Sequence, residues 1–291
     1  MQVDARTVAL AVLVLAASLT PCASVAATDA PMAPSRIVKP SRPWSANDLA
    51  VLRALAVEPG GVRVFETARW PYLKPAAAGA LIELVWIETG GSPTQAVHTS
   101  LVLIERSVNP PVTQVVTVIA KASLPAAPAN EDGIESFDKF EAGPMRIADD
   151  EYAIGIRLRR PLMVESGRAA CIRVQLFRAV PPLLLPILKT PVGYEAVFRT
   201  PAARPDERAG ATLTHQRIEA ALDRSTDRHA GYFDLHKRAL YNQQWETFRI
   251  GRRSYPGPVV ASAPVASSVF RWNGAGYQVL GEDYAMTPIC R

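Results

Sequence analysis

Hydrophobic positions along this chain fall into one continuous run followed by many short ones. Val8 to Leu19 is uninterrupted but for Ser18. At about a dozen residues it suits the apolar core of a secretory signal and falls short of a spanning helix. Asp4 and Arg6 precede it, Pro21 breaks it, and small residues follow through Ala23-Ser24-Val25-Ala26-Ala27. Ser24 and Ala26 satisfy the small-x-small rule, so residues 1–26 read as a signal peptide cleaved after Ala26. Lipidation at Cys22 is the less favoured alternative, because Pro21 fits poorly directly before a modified cysteine. Residues 27–44 carry Pro31, Pro34, Pro40 and Pro43 and read as a flexible, extended leader. One β-rich domain is expected over 45–291.

That domain opens with a punctuated helix. Ser45 is the expected N-cap and Asp48 stands in the capping-box position; Leu49, Leu52, Leu55 and Ala56 form one apolar face. Pro59-Gly60-Gly61 ends it. From there the period shortens to that of strands: Val62–Glu66, Leu81–Glu88, His98–Glu105 and Val112–Ile119 are rich in β-branched and aliphatic residues. A polar stretch, Pro125–Asp138, reads as a long loop. Strands resume at Tyr152–Arg159 and Ala170–Phe177, and a further pair is expected within Leu183–Arg199. The run Leu183–Leu188, broken by Pro186, reads as a buried strand.

The two groups resemble each other. One offset carries Ile82, Leu84 and Trp86 onto Ile154, Ile156 and Leu158. The same offset carries Val102, Ile104, Arg106 and Val108 onto Val174, Leu176, Arg178 and Val180. Each group is followed by a diproline, Pro110-Pro111 or Pro181-Pro182. The pattern predicts quasi-repeats of antiparallel strands near 80–120 and 152–190, with prolines where no ladder donor is needed.

The last third is less regular. Thr212–Asp223 suits a strand slightly better than a helix, and Tyr232–His236 reads as a turn entering a strand. Val269 to Val279 predicts a hairpin, with Asn273-Gly274 supplying a type I′ turn between alternating aromatics. Gly231-Tyr232-Phe233-Asp234-Leu235, followed by Phe270 to Tyr277, resembles a pattern of uncharacterised bacterial periplasmic β-repeat proteins, some FG-GAP or propeller-like. The resemblance implies a β architecture. It implies no ligand, since the Asp-rich calcium loop of FG-GAP units is absent. The expected fold is mainly β: antiparallel meanders in a sandwich or propeller-like stack, with one N-terminal helix.

Composition narrows the functional classes. The net charge of +5 is unchanged by cleavage, and the basic residues are scattered, with small clusters at 157–160 and 249–253. A nucleic-acid binder would show a denser stripe with interleaved aromatics. No apolar run after the first is long enough to span a membrane. Three cysteines become two on cleavage, Cys171 and Cys290, which in an oxidising compartment are expected partners.

Motifs of catalysis are sparse. The chain has no Gly-x-Ser-x-Gly elbow, His-Glu-x-x-His pair, phosphate-cradling glycine loop or EF-hand spacing. The most suggestive cluster is Asp227, His229, Asp234 and His236, carboxylate and imidazole ligands that would meet across a turn at Gly231. Asp149-Asp150-Glu151 reads as a solvated turn, because adjacent acids in an extended chain point apart. Trp70, Tyr72 and Trp245 have the chemistry to stack on sugars or peptides, or to fill a core. No cofactor is implied. The expected function is a non-enzymatic periplasmic or secreted binding or envelope-accessory protein, contacting another envelope protein or a cell-wall polymer. The alternatives are a metal-assisted hydrolase using the Asp227 to His236 cluster, and a structural subunit of an envelope assembly.

Overall fold

The structure, a computed structural model, describes residues 36–38, 43–90, 97–107, 115–127, 135–141, 143–164, 167–200, 209–250, 253–262, 267–282 and 290. Its helix α1 (Ala46–Ala54) and a 3-10 turn (Pro59–Gly61) stand among fifteen strands. In chain order these are β1 (Arg36–Val38), β2 (Val62–Arg69), β3 (Leu81–Thr89), β4 (Val97–Arg106) and β5 (Val116–Ala127). Then follow β6 (Ser136–Phe140), β7 (Met145–Arg146), β8 (Tyr152–Val164), β9 (Gly167–Val180) and β10 (Leu183–Thr200). The last are β11 (Ala209–His229), β12 (Tyr232–Ile250), β13 (Arg253–Ser262), β14 (Ser267–Trp272) and β15 (Tyr277–Leu280).

Strands β1 to β5 form one antiparallel meander. A second block is centred on β10, which pairs with β9 on one edge and β11 on the other. Strand β9 continues to β8, which takes β6 and β7. On the far side the β11–β12 hairpin carries β13 along one part of β12 and the β14–β15 hairpin along another. The two blocks join by a single parallel pairing, Leu183 opposite Lys121. There the Lys121 amide donates to the Pro182 carbonyl at 3.0 Å. The strand path is open and does not close into a barrel.

Burial explains the strand patterns. One face of the meander (Ile82, Leu84, Trp86, Leu101, Leu103) packs on Phe140, Ile154, Ile156, Leu158 and Phe177 of the second block, the core of a sandwich. The opposite face (Phe65, Val85, Ile87, Val102, Ile104) receives Val51 and Leu52 of α1. Strand β3 is therefore covered on both sides, which is why its sequence is nearly all apolar instead of alternating. A second core lies between Ile172, Val174 and Leu176 of β9 and Leu235, Phe270, Trp272 and Tyr277. The offset seen in the sequence holds in the ladders: Ile82–Glu105, Leu84–Leu103 and Trp86–Leu101 map onto Ile154–Phe177, Ile156–Gln175 and Leu158–Arg173. The two hairpins meet across the sandwich core.

The helix start is as its sequence dictates, with the Ser45 side chain accepting from the Asp48 amide and Asp48 accepting from the Ser45 amide at 3.0 Å. Elsewhere boundaries differ. The leader supplies β1, Arg36–Val38, which pairs with Thr67, Glu66 and Phe65 at the meander's edge. Strand β5 lies later than Val112–Ile119, because Ala120 faces the core and pairing with β4 runs on to Ala127. It trims the expected 125–138 loop from one end, and β6 trims it from the other. The expected pair within Leu183–Arg199 is one long strand: Pro186 and Pro191 are absorbed by register shifts against β9. Thr212–Asp223 lies within strand β11. The Asn273 hairpin forms, but not on a type I′ turn. Trp272 pairs with Tyr277, so four residues span the loop. Asn273 Oδ1 accepts from the Ala275 and Gly276 amides, both at 3.0 Å. The side chain thus organises the turn, and among these four residues only Gly274 takes a positive φ, 102°.

Candidate functional site

Beyond their one shared rung, β5 and β10 diverge, and the space between them is a cleft of about 650 Å³. Its floor is the sandwich core, reached through Trp86, Leu158, Phe177 and Leu184. Lys121 to Leu124 of β5 form one wall, and Leu183, Leu185, Pro186 and Lys189 of β10 the other. Leu183 is 53% exposed and Leu185 38%, whereas Leu184 between them is buried. The run read as a buried strand is therefore buried only in part. Alternation along an extended chain sends every second leucine outward, and the fork leaves β10 with no strand over that face. Among the described residues, Ala122 to Ala127 of β5 pair only with β4, so their other edge borders the cleft.

Polar groups stand at the rim. Glu135 binds Arg173 at 2.7 Å and also Lys189. Glu88 accepts from the Trp86 indole N–H at 3.1 Å and holds that ring, which stacks on Phe137 at 4.5 Å. Lys121 is exposed and has no ion pair among the described residues. Behind Trp86, on β2, lies Glu66, 3% exposed and with Oε2 lacking any hydrogen-bond partner. Burial, and then the charges of Asp138 and Glu88, push its carboxyl up to about 7.

The residues singled out by sequence lie elsewhere. His229 Nδ1 is 2.8 Å from Asp234 Oδ1, across the Ala230-Gly231 turn of the β11–β12 hairpin. Asp234 is 2% exposed, and its second oxygen lies 3.6 Å from Arg271 Nε. Asp227 instead donates its amide to Ser225 Oγ, and His236 stands opposite Asp223. Among the described residues no three His, Cys, Asp or Glu side chains converge, so the four candidates reduce to one imidazole–carboxylate pair. The acidic turn is tied down. Asp149 receives a two-pronged contact from Arg228 (2.6 and 2.7 Å), and Glu151 binds Arg178 (2.5 Å) and the Tyr232 hydroxyl (3.2 Å). Tyr232 stacks on Trp272 at 4.1 Å, so this end of the molecule is braced by charge and rings together.

Trp70 is a core residue in edge contact with Tyr72. Trp245 stacks flat on His215. Cys171 and Cys290 are bonded, with Cα atoms 5.6 Å apart. Ala26 and Cys22 lie outside the described residues. Among the described residues no helix is long and apolar enough to cross a membrane.

The sequence offered one signal for the cleft that went unused. Three adjacent leucines exceed what a one-sided strand can bury. The contributions of Lys121, Glu88 and Glu135 come from the meeting of distant strands and have no local signature. No protein-family model, curated protein or solved structure matches this chain.

Proposed function

We propose that this chain is an exported, non-enzymatic binding protein of the cell envelope, whose β5–β10 cleft receives an extended and largely apolar segment of a partner protein. The carrying observation is the fork itself. Outward-facing Leu183 and Leu185 adjoin a strand edge that has no partner among the described residues. A strand entering there gains main-chain hydrogen bonds from the edge and apolar burial from alternate side chains. Alternate exposed leucines beside such an edge are a feature that soluble proteins otherwise suppress. Rim charges of both signs, Lys121, Lys189, Glu88 and Glu135, favour a segment with polar flanks over a bare hydrocarbon. Export is supported by the apolar run ending in small-x-small residues and by the Cys171–Cys290 bond, which persists in oxidising compartments.

The test is a dansylated decapeptide of alternating valine and threonine, titrated into the protein and read by energy transfer from tryptophan. Saturable binding is expected, weakened about tenfold or more by the double change Leu183→Asp, Leu185→Asp. N-methylation of alternate peptide amides should abolish it. Equal affinity for the N-methylated peptide would remove strand addition from the account, and equal affinity of the double variant would remove the cleft.

A further inference from the structure

A second groove, sharing no residue with the cleft, crosses the sheet formed by β9 to β12. Its volume is about 430 Å³. Its centre is a row of cross-strand neighbours: Arg168 opposite Val197, Val197 opposite His215, and His215 opposite Trp245. Residues directly opposite each other share a face, so the four side chains line up across four strands. The His215 and Trp245 rings are stacked on each other, 5.2 Å apart and within 4° of parallel, and Val197 continues the row. Two residues along each strand, a polar row runs beside it, in which Glu195 is opposite Arg217.

The charges of this groove are nearly spent on each other. Arg159 binds Glu195 at 2.8 Å, and Arg217 binds Glu219 through Nη2. Two groups stand out. Arg168 is exposed and has no ion pair among the described residues. Arg217 Nε is buried and has no hydrogen-bond partner, with Glu195 Oε1 3.9 Å away. An orphaned buried donor at the wall of a groove calls for an acceptor from outside.

We propose that this groove binds an acidic saccharide, a uronic-acid-containing polymer, with a sugar ring against an outer face of the His215–Trp245 stack and a carboxylate on Arg168 and Arg217. Ring faces carry negative charge density that attracts the polarised C–H face of a pyranose. Guanidinium N–H groups suit a carboxylate. Four strands at about 4.8 Å spacing span roughly 15 Å, room for two or three sugar rings. A nucleic acid or polyphosphate would need a row of uncommitted cations to follow its phosphates. Here Glu195 and Glu219 neutralise Arg159 and Arg217, leaving Arg168 as the groove's one cation without an ion pair among the described residues.

Isothermal titration of the mature chain with a mannuronate hexasaccharide, with maltohexaose and with polyphosphate of matched charge tests this. Saturable uronate binding is expected, with maltohexaose weaker by about tenfold and polyphosphate no tighter than maltohexaose. Trp245→Ala and Arg168→Gln should each weaken uronate binding about five- to tenfold, while Trp245→Phe keeps most of it. Circular dichroism identifies any variant that fails to fold, in which case Trp245→Phe and Arg168→Gln carry the test. The Leu183→Asp, Leu185→Asp variant should bind uronate as the parent does, so failure at the cleft and failure here remain distinct. Absence of saturable uronate binding, unchanged affinity in folded Trp245→Ala, or tighter binding of polyphosphate would each overturn the proposal.

Discussion

Glu66 shows how one side chain can set a pH dependence for the whole fold. Its folded-state pKa, about 7, lies above its ordinary 4.5, chiefly because burial removes water from the carboxylate. As pH rises, the unfolded chain therefore releases this proton first. Stability falls between about pH 4.5 and pH 7, and above that the loss is complete. Glu66→Gln removes the ionisation while keeping the shape. It should raise the melting temperature at pH 8 by about 3–8 °C, reflecting about 1–3 kcal/mol. By pH 4 parent and variant should melt together, as paired calorimetric scans would show. A gap that persists at pH 4 would mean that packing, not charge, is responsible. Nothing local in Val64-Phe65-Glu66-Thr67 announces this, since a strand with a charged residue at every third position (Arg63, Glu66, Arg69) reads as half-solvated. Its burial comes from Trp86 and the sandwich above it. For His229 and Asp234 the turn at Gly231 that brings them within reach was legible in the sequence, as part of a four-residue cluster. The fate of Asp227 and His236 depended on the bulge between Arg224 and Arg228, which no spacing rule foretells.

At the scale of elements, what was legible is what is encoded within a few residues. The Ser45–Asp48 capping box, the β3–β4 and β8–β9 hairpins and the existence of the β14–β15 hairpin all rest on contiguous patterns. The turn type was missed because Asn-Gly serves two geometries, and here the Asn273 carboxamide caps a four-residue loop. That loop does more than reverse the chain. A Cβ on Gly276 would sit 2.8 Å from the backbone carbonyl oxygen of Ile187 in β10, so the hairpin docks on β10 only through a glycine. Gly276→Ala should destabilise by about 1–3 kcal/mol in urea denaturation. Gly274→Ala, with open space around the added carbon but a φ of 102°, should destabilise through backbone strain instead. Strand lengths were the other shortfall. Strands β10 and β11 run through prolines and polar stretches because long pairings with β9 and β12 hold them extended, and that support is tertiary.

For the whole molecule, the pairing of Cys171 with Cys290 ties the C-terminal end of the chain to the middle of β9, within a cluster that includes Tyr194, Ala196 and Ile218. The sequence separation of 119 places most of the second block inside the closed loop. Cys171→Ser should lower stability by about 4 kcal/mol, measurable as a shifted urea midpoint, if restraint of the unfolded chain is the main contribution. Reduction of the parent should reproduce the loss. The mainly β fold with one N-terminal helix expected from the sequence is the one present, and the β3–β4 and β8–β9 hairpins pack on one core.

The single rung between Lys121 and Leu183 has a mechanical consequence. Within each block, tension is shared by ladders of many rungs loaded side by side, whereas between the blocks, among the described residues, the backbone offers one paired position and the rest is side-chain packing. A pull that separates the meander from the second block meets its least resistance at the fork. A segment wedged between β5 and β10 would act there as a rivet, converting the weakest seam of the molecule into a continuous, load-sharing sheet.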